Sequence, residues 1–208
     1  MSWIISAILV SYLLGSIPNA YLFGRLLKGI DIRRFGSGNV GATNALRVLG
    51  KKVGIAVLIL DMLKGLLAST LLADFILLKT KIVPAEALRI MLGAGSISGH
   101  NWSLFLNFKG GKGVATTIGV LLGLAIKIAQ VKAAFILLLL TWLAVFFIFR
   151  IVSLASVVAS IFLPIYMTIC DTSRFLVISS AVLSIFIILR HRSNLSRLWH
   201  HEESRLTF

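Results

Sequence analysis

Long apolar runs separated by short polar segments make up most of this chain. A helix needs about 20 mostly apolar residues to cross the hydrocarbon core of a bilayer. Runs of roughly this length occupy residues 3–24, 54–78, 83–106, 114–130, 131–149, 151–170 and 172–190. The pattern predicts an all-α protein, a polytopic membrane helix bundle of about seven transmembrane helices, with a re-entrant piece within 106–132 as the alternative to a full span there. No linker or internal repeat divides the sequence, so we expect a single integral-membrane domain over residues 1–208.

Composition agrees with a membrane protein and limits its partners. Hydrophobic residues make up 58% of the 208 residues and charged residues 13%, whereas soluble domains carry roughly 25% charged residues. The formal charge is +14, from 21 Lys and Arg against 7 Asp and Glu. Most of these cations lie at the ends of apolar runs, which favours topology signals, anionic membrane lipid and an anionic substrate as explanations. We therefore expect no nucleic-acid partner.

The sequence also argues against metal, cofactor and several enzyme classes. Cys170 is the only cysteine, and the acidic residues are scattered without Asp-x-x-Asp or Glu-x-x-His pairs. A carboxylate-bound metal is therefore not expected, and nothing in the sequence calls for a cofactor. Gly-x-Ser-x-Gly, His-Glu-x-x-His and a His followed five positions later by Asp, the pattern of acyltransferases that use acyl-CoA or acyl-carrier protein, are all missing.

The distribution of Lys and Arg predicts the orientation. With the N-terminus outside, the segments between the predicted spans place fourteen cations inside and six outside, and Lys64 lies within a span. The positive-inside rule then favours an N-terminus outside and a C-terminus in the cytoplasm. This orientation places two glycine-rich segments and the basic tail on the cytoplasmic side, where they could build one site together.

The first glycine-rich segment begins with Gly36-Ser-Gly-Asn-Val-Gly41, which matches G-x-G-x-x-G. A dinucleotide site requires a preceding strand in a βαβ unit, and this segment instead lies between two spans. The segment could instead bind an anion through its loop amides near a helix N-terminus. The alternative is that it is a plain turn at the membrane interface. The polar groups offered to an anion are Ser37, Gly38, Asn39, Thr43, Asn44 and Arg47.

The second glycine-rich segment follows His100 and ends in Lys109-Gly-Gly-Lys-Gly113. It is not a P-loop, because Lys112 is followed by glycine rather than Ser or Thr. The glycine run still allows Lys112 to approach a phosphate as a point charge, the alternative again being a basic turn. His100 lies near the end of a span, where an ionisable residue is a candidate for function as well as for structure. Asp61 and Lys64, three residues apart, are expected to pair on one helix face.

The C-terminal tail carries the last group of candidates. His191, Arg192 and Asn194 lie where the final span leaves the membrane and could close over an anionic substrate, or the segment could simply be a basic stop. Ser153 follows Arg150 at the start of an earlier span and is expected near the same membrane face.

Taken together these motifs resemble the bacterial integral-membrane, acyl-phosphate-dependent glycerol-3-phosphate acyltransferases. The resemblance covers almost the whole chain and departs from the family pattern at Ser103, where proline is expected, and at His201, where glycine is expected. Glu203 corresponds only loosely to the family's acidic residue. The stretches that carry the resemblance are Gly15-Ser-Ile-Pro18, Ser37 to Asn44 with Arg47, Asp61-x-x-Lys-Gly65, Gly99 to Trp102 with Lys109 to Thr116, and His191-Arg-x-Asn194 with Arg197-Leu198.

The resemblance implies an enzyme of the cytoplasmic (inner) membrane that carries out the first acylation step of phospholipid synthesis. Its substrates would be acyl phosphate and glycerol 3-phosphate, and its products lysophosphatidic acid and phosphate. Arg47, Lys112 and Ser37, with Gly38, would bind the phosphate of glycerol 3-phosphate. The implied catalytic residues at the acyl-phosphate head are Asn39, Thr43, His191 and Asn194, with His100 and Ser153 as further substrate-binding candidates.

A small transporter of organic phosphate anions is the alternative function. Such a protein would need a site near the bilayer midplane and usually has internal repeats. The motifs lie at one interface and no repeat is seen, so the acyltransferase function is favoured.

Overall fold

A computed structural model describes residues 1–206, in which the chain is helical and contains no strand. The helices are α1 (Ser2–Ser16), α2 (Asn19–Lys28), α3 (Ala42–Leu49), α4 (Lys51–Leu67), α5 (Ala73–Lys79), α6 (Ala85–Asn101), α7 (Val114–Lys127), α8 (Ala129–Phe149), α9 (Val152–Ile169), α10 (Arg174–Arg190) and α11 (Arg192–Trp199). The predicted all-α class agrees with this architecture.

The number of helices able to cross a bilayer differs from the sequence prediction. Among the described residues, Ser2–Lys28, Lys51–Lys79, Ala129–Phe149 and Val152–Ile169 are long and apolar enough, and α10 with α11, bent by 58°, gives a fifth if counted as one span. The count of seven is not confirmed. The span expected at 83–106 ends at Asn101 and the one expected at 114–130 ends at Lys127, so both helices fall short of about 20 residues.

The first span is interrupted near its middle. Pro18 lacks an N–H and restricts the backbone of the preceding residue, so the helix stops at Ser16 and resumes at Asn19. The break exposes carbonyl groups that a continuous helix would satisfy internally. Outside donors replace the missing helical ones: Ser103 Oγ donates to the Ser16 carbonyl at 2.5 Å, and Lys64 Nζ donates to the Ile17 carbonyl.

A π-helical turn, Ala68–Leu72, joins α4 to α5. The wider turn leaves its carbonyl groups open to side chains, and Arg89 of α6 donates to the Ser69 carbonyl at 2.9 Å. Arg89 also forms an ion pair with Asp74 at 2.5 Å. Its side chain is 9% exposed, so this cation stabilises the packing of α6 against the turn.

Glycines bring two pairs of helices into backbone contact. A Cβ atom at Gly15 would lie 2.0 Å from the Ser96 carbonyl oxygen, and one at Gly99 would lie 2.0 Å from that of Tyr12, so α1 and α6 touch through both glycines. A Cβ at Gly119 would lie 1.8 Å from the Met62 carbonyl oxygen. A Cβ at Gly123, one turn further along α7, would lie 2.1 Å from Ser69 Oγ, so both glycines allow close helix packing.

The chain divides into two compact units, Met1–Leu124 and Ala125–Phe208, and the single domain over 1–208 stays a prediction. In the first unit, α1 packs on α6 and α3 packs on α4. In the second unit, α9 packs between α8 and α10. There, the Tyr166 hydroxyl lies 2.6 Å from that of Thr141, and the Trp142 and Phe146 rings stack with centroids 5.0 Å apart.

Candidate active site

Asn44 organises the first glycine-rich segment. It is buried on the first turns of α3, and its Oδ1 accepts from the Ser37 amide at 2.9 Å. Its Nδ2 donates to the carbonyls of Ile32, Phe35 and Asn39. Gly36 must be glycine, because its φ is +57° and a Cβ would lie 2.3 Å from Asn44 Oδ1. The segment therefore folds around one buried amide side chain.

This arrangement changes which groups face an anion. The amides of Ser37, Gly38 and Gly41 are bonded to Asn44 Oδ1, the Phe35 carbonyl and Asn39 Oδ1. These backbone amides, and the side-chain amide of Asn44, form hydrogen bonds within the loop itself. The expectation that they would donate to an anion is therefore wrong. The first turn of α3 carries the Thr43 hydroxyl, and Arg47 follows one turn later, so an anion could meet a hydroxyl, a cation and the N-terminus of this helix.

Not every cation near the first segment is available to a substrate. Arg33 donates to both carboxylate oxygens of Asp31, with Nη2 at 2.7 Å from Oδ2. The side-chain hydrogen bond from Arg33, helped by the Arg33 amide and the charges of Arg33 and Arg25, outweighs the opposing effect of burial and lowers the pKa of Asp31 to about 2. Asp31 is therefore ionised at neutral pH and balances the charge of Arg33.

The second glycine-rich segment folds back onto the end of α6. The amides of Gly110 and Gly111 donate to the carbonyls of Asn101 and His100 at 3.2 and 2.9 Å. A Cβ at Gly110 would lie 2.1 Å from the His100 carbonyl oxygen, and a Cβ at Gly111 would lie 2.2 Å from His100 Nε2. These glycines are required by close backbone packing, which in turn fixes the backbone that carries Lys112.

Ser103, where the resemblance of the motifs led us to expect proline, holds the same loop. Besides bonding to the Ser16 carbonyl, Ser103 accepts through its own carbonyl from the amides of Leu106 and Phe108, at 3.1 and 2.8 Å. Its side chain is almost wholly buried. Hydrogen bonds thus supply the rigidity that a proline ring would otherwise give.

The two glycine-rich segments meet in the first unit. Leu106 of the second segment belongs to the same buried cluster as Val40 and Ala45 of the first. Val40 and His100 also line one small cavity. Arg47 and Lys112 are half-buried on these segments, so the structure brings together the region of Ser37, Gly38, Asn39, Thr43 and Arg47 with that of His100 and Lys112.

A buried charged cluster lies beneath the second segment. Asp61 Oδ1 accepts from Lys64 Nζ at 2.7 Å and from Asn19 Nδ2 at 2.9 Å. His100 Nδ1 lies 3.8 Å from the same oxygen. The pairing of Asp61 with Lys64 that their spacing predicts is confirmed, and the structure adds Asn19 and His100 as neighbours.

In the second unit, Glu203 is the centre of the candidate residues. Its Oε1 accepts from Ser153 Oγ at 2.7 Å and from Asn194 Nδ2 at 2.5 Å, and its Oε2 accepts from Arg197 Nε at 2.7 Å. The Glu203 side chain is 7% exposed. Burial raises the pKa of Glu203, but the hydrogen bonds from Asn194, Ser153 and Arg197 lower it by more, so its pKa lies below the ordinary value.

Glu203 is the residue that sequence reasoning undervalued. Only the loose family resemblance drew attention to it, since an acidic residue in a tail with several cations looks like ordinary surface charge. Its three donors come from α9 and α11 and lie up to 50 positions away in sequence. No local spacing could have revealed them.

His191 lies at the start of α11 and is 3% exposed. Its Nδ1 is 2.8 Å from the Ile187 carbonyl oxygen. A carbonyl only accepts, so Nδ1 carries a proton and this hydrogen bond fixes the orientation of the ring. The second unit thus brings Ser153 and Asn194 together on Glu203, with His191 three positions before Asn194 at the bend between α10 and α11.

His201 occupies a backbone conformation that normally favours glycine. Its φ is +59° just after α11, where its amide donates to the Leu198 carbonyl at 3.1 Å and the next amide donates to that of Arg197. Helices commonly end this way on a left-handed glycine. A glycine here, as the resemblance of the motifs implies, would therefore suit the backbone better than histidine.

We predict that His201→Gly stabilises the protein by about 0.5–1 kcal/mol, because relief of left-handed strain exceeds the added entropy of the unfolded chain. Thermal unfolding in detergent measures this change. His200→Gly is the control and should not stabilise, since His200 has a φ of −89°. An unchanged or lower melting temperature for His201→Gly would contradict the strain argument.

Comparison with known proteins gives a consistent result. A family model described as glycerol-3-phosphate acyltransferase matches residues 5–201. Proteins named glycerol-3-phosphate acyltransferase from Prochlorococcus marinus and Parasynechococcus marenigrum are 42% and 46% identical over 200 and 189 residues. The first alignment covers 94% of both chains, and the second covers 91% of this chain and 83% of the relative.

Solved structures agree with the sequence comparison. Two crystal structures of PlsY (YgiH), an integral membrane glycerol 3-phosphate acyltransferase, match with TM-scores of 0.84 and 0.81 at 36% and 35% identity. Each covers 98% of this chain, and the matches span 96% and 95% of the solved chains. One is the glycerol 3-phosphate form and the other the lysophosphatidic acid form. With its apolar helices, this likeness makes the chain a multi-pass membrane protein.

Proposed function

Because this chain belongs to the glycerol-3-phosphate acyltransferase family, we propose that it transfers an acyl group from acyl phosphate to the 1-hydroxyl of glycerol 3-phosphate. The products are lysophosphatidic acid and inorganic phosphate. Solved relatives in glycerol 3-phosphate and lysophosphatidic acid forms support the acceptor and the product. The choice of acyl phosphate as donor rests on the resemblance of the motifs.

The observation that carries this proposal is the meeting of the two glycine-rich segments. Leu106 packs with Val40 and Ala45, so the segments bearing Arg47 and Lys112 belong to one packed region of the first unit. We assign Arg47, Lys112 and the Ser37 hydroxyl, with the close backbone approach that Gly38 permits, to the phosphate of glycerol 3-phosphate. Arg offers a planar fork for two phosphate oxygens, and Lys adds a point charge.

The resemblance of the motifs assigns the acyl-phosphate head to Asn39, Thr43, His191 and Asn194. Nδ1 of His191 donates to the Ile187 carbonyl, which orients the imidazole ring. The Asn194 side-chain nitrogen donates to Glu203, which fixes the amide and turns its oxygen away from that carboxylate. Ser153 donates a hydrogen bond to the same carboxylate, so we assign it an indirect role in substrate binding, by way of Glu203. His100 supports the segment that carries Lys112.

The chemistry needs little covalent help from the protein. Acyl phosphate is a mixed anhydride with a good leaving group, so attack by the 1-hydroxyl on the acyl carbonyl carbon forms the ester bond as the bond to the phosphate oxygen breaks. Holding two anions in position and stabilising the developing oxyanion supply the rate enhancement. The hydroxyl proton passes to the phosphate of acyl phosphate, which leaves as protonated inorganic phosphate.

The purified protein should release phosphate from acyl phosphate only when glycerol 3-phosphate is present. Acyl-CoA supplied instead should give no lysophosphatidic acid, which tests the donor separately from the acceptor. The transporter alternative would instead require uptake of glycerol 3-phosphate into proteoliposomes without acyl donor. Such uptake with no acyl transfer would overturn the proposed function.

Orientation gives a second test of the proposal. With fourteen cations inside and six outside, the N-terminus should face outward and the C-terminus the cytoplasm of the inner membrane. A cysteine at Ser2, in a variant whose Cys170 is replaced, should react with an impermeant reagent in intact cells. Reaction only after permeabilisation would reverse the orientation.

Activity should also be independent of metal. Across residues 1–206 no group of three or more His, Cys, Asp or Glu side chains is placed to hold a metal ion. We expect full kcat/KM after exhaustive chelation. Loss of activity restored by Mg²⁺ would show that a cation bound with the substrate phosphates takes part.

A further inference from the structure

The two oxygens of Asp61 have unequal surroundings. Oδ1 accepts from Lys64 and Asn19 and lies near His100. Oδ2 is buried with no hydrogen-bond partner among the described residues, and the Asp61 side chain is 1% exposed. A buried carboxylate oxygen without a donor costs free energy, so such an atom indicates a missing ligand.

A cavity adjoins this carboxylate. Its size corresponds to about one water molecule. Its wall includes the polar residues Ser16, Asn19, Asp61, Lys64, His100 and Ser103. A buried water typically makes two to four hydrogen bonds, and this lining supplies both donors and acceptors.

The charge balance of the site favours water over an ion. Lys64 Nζ already neutralises Asp61 at 2.7 Å. Adding a cation or anion to a neutral buried pair would leave one uncompensated charge at low dielectric, which is strongly unfavourable. A neutral molecule that donates to Oδ2 satisfies the orphan oxygen without changing the charge.

The same cluster joins the broken first span to the second glycine-rich segment. Lys64 donates to the Ile17 carbonyl, and Ser103 donates to the neighbouring carbonyl of Ser16. His100, beside Asp61, is in turn packed against Gly111. One buried group of side chains therefore fixes the break at Pro18, the end of α6 and the backbone next to Lys112.

We infer that Asp61 Oδ2 binds a single ordered water, and that the Asp61–Lys64 pair with this water positions the second glycine-rich segment so that Lys112 meets its anion. Asp61 and Lys64 are positioning residues that act through His100, Ser103 and Gly111. The identity of the anion, glycerol 3-phosphate, rests on the proposed function.

The first experiment separates positioning from mere packing. The double variant Asp61→Leu with Lys64→Met replaces the pair by apolar side chains of similar volume, an exchange that is often neutral for stability. We expect it to remain folded while its Kd for glycerol 3-phosphate, measured by calorimetry in detergent, rises roughly tenfold or more, since small misplacements of binding groups are costly. A double variant that melts like the parent and binds with unchanged Kd would overturn the positioning role.

A matched control lies in the same unit. Arg89→Met with Asp74→Leu removes another ion pair, and Arg89, like His100, belongs to α6. Its Kd should stay within about threefold of the parent value. An equal loss in both double variants would assign the effect to general loosening and overturn the inference. If the parent itself binds no glycerol 3-phosphate, the proposed function fails instead.

Asp61→Asn with Lys64→Gln keeps the test decisive should the apolar double variant not fold. The two amides can still hydrogen-bond to each other and to the water, and no buried charge is left unpaired, so the geometry survives without the charges. We expect Kd within about threefold of the parent, and a loss of tenfold or more would overturn positioning by geometry.

The water is tested directly by a crystal structure at a resolution that resolves ordered solvent. We expect a peak at hydrogen-bond distance, about 2.6–3.0 Å, from Asp61 Oδ2. An empty cavity, or an anomalous scatterer after soaking with a heavy monovalent ion, would overturn the water site.

Discussion

Replacing Arg47 or Lys112 by alanine should lower kcat/KM for glycerol 3-phosphate by about 10- to 150-fold. A desolvated, charge-assisted hydrogen bond to phosphate contributes on the order of 1.5–3 kcal/mol, and kcat/KM reports the loss of that stabilisation in the transition state. Both side chains are half-buried on the two segments that pack together through Leu106. Steady-state assays of purified variants over a range of glycerol 3-phosphate concentrations measure the effect.

Two further variants sharpen this prediction. Arg47→Lys should recover only part of the activity, because a point charge cannot replace a bidentate fork. Arg34→Ala is the control, since Arg34 is exposed on the same polar segment, and it should stay within about twofold of the parent. If both alanine variants were folded and fully active, the two segments would be ordinary interfacial turns.

Glu203→Ala should give the largest loss of stability in the second unit. The substitution leaves Ser153 and Asn194, both largely buried, and Arg197 without their shared acceptor. Because Arg197 is 39% exposed and can turn to water, we expect a cost on the order of 3 kcal/mol rather than the sum of three charged hydrogen bonds. The melting temperature and the yield of folded protein in detergent measure it.

The control for this variant is Glu202→Ala, which removes an exposed carboxylate next to the buried one and should change stability little. Glu203→Gln should fall between the two, since one oxygen remains to accept while the amide nitrogen faces other donors. Equal melting temperatures for the Glu203→Ala and Glu202→Ala variants would show that the cluster contributes nothing.

Acid should act through the same carboxylate. The pKa of Glu203 in the folded protein lies below its ordinary value of 4.5, so its ionised form is favoured by folding. This contribution to stability is complete above about pH 4.5 and is lost as the pH falls through the lower, folded value. Melting temperatures of the parent should therefore decline below that pH, and in Glu203→Gln this part of the decline should be missing.

The helical class could be predicted from sequence, but the limits of individual helices could not. Apolar residues extend the run after Asn101, yet Leu104, Phe105 and Phe108 are exposed and lie beyond the end of α6. A stretch of apolar residues does not show whether its last residues are helical or form an apolar loop. Pro18 was visible in the sequence as part of a motif, but the break it produces depends on Lys64 and Ser103, which supply donors from distant segments.

The types of chemistry at the site were predictable, whereas the use of each group was not. Small polar residues, glycines and a cation in one segment favour anion binding, and the structure packs the two segments together. Asn44 forms its hydrogen bonds within the loop itself, and Glu203 accepts from three donors. Both arrangements depend on the tertiary structure. Hydrogen-bond partners far apart in the chain leave no periodic signal.

The backbone contacts at Gly15, Gly99 and Gly119 have a consequence for engineering this protein. Exchanging helix glycines for alanine is a common route to thermostable variants. Here a methyl group at any of these three positions would lie about 2 Å from a carbonyl oxygen of the neighbouring helix. Screens for stabilised forms should therefore leave these glycines unchanged and search the lipid-facing positions instead.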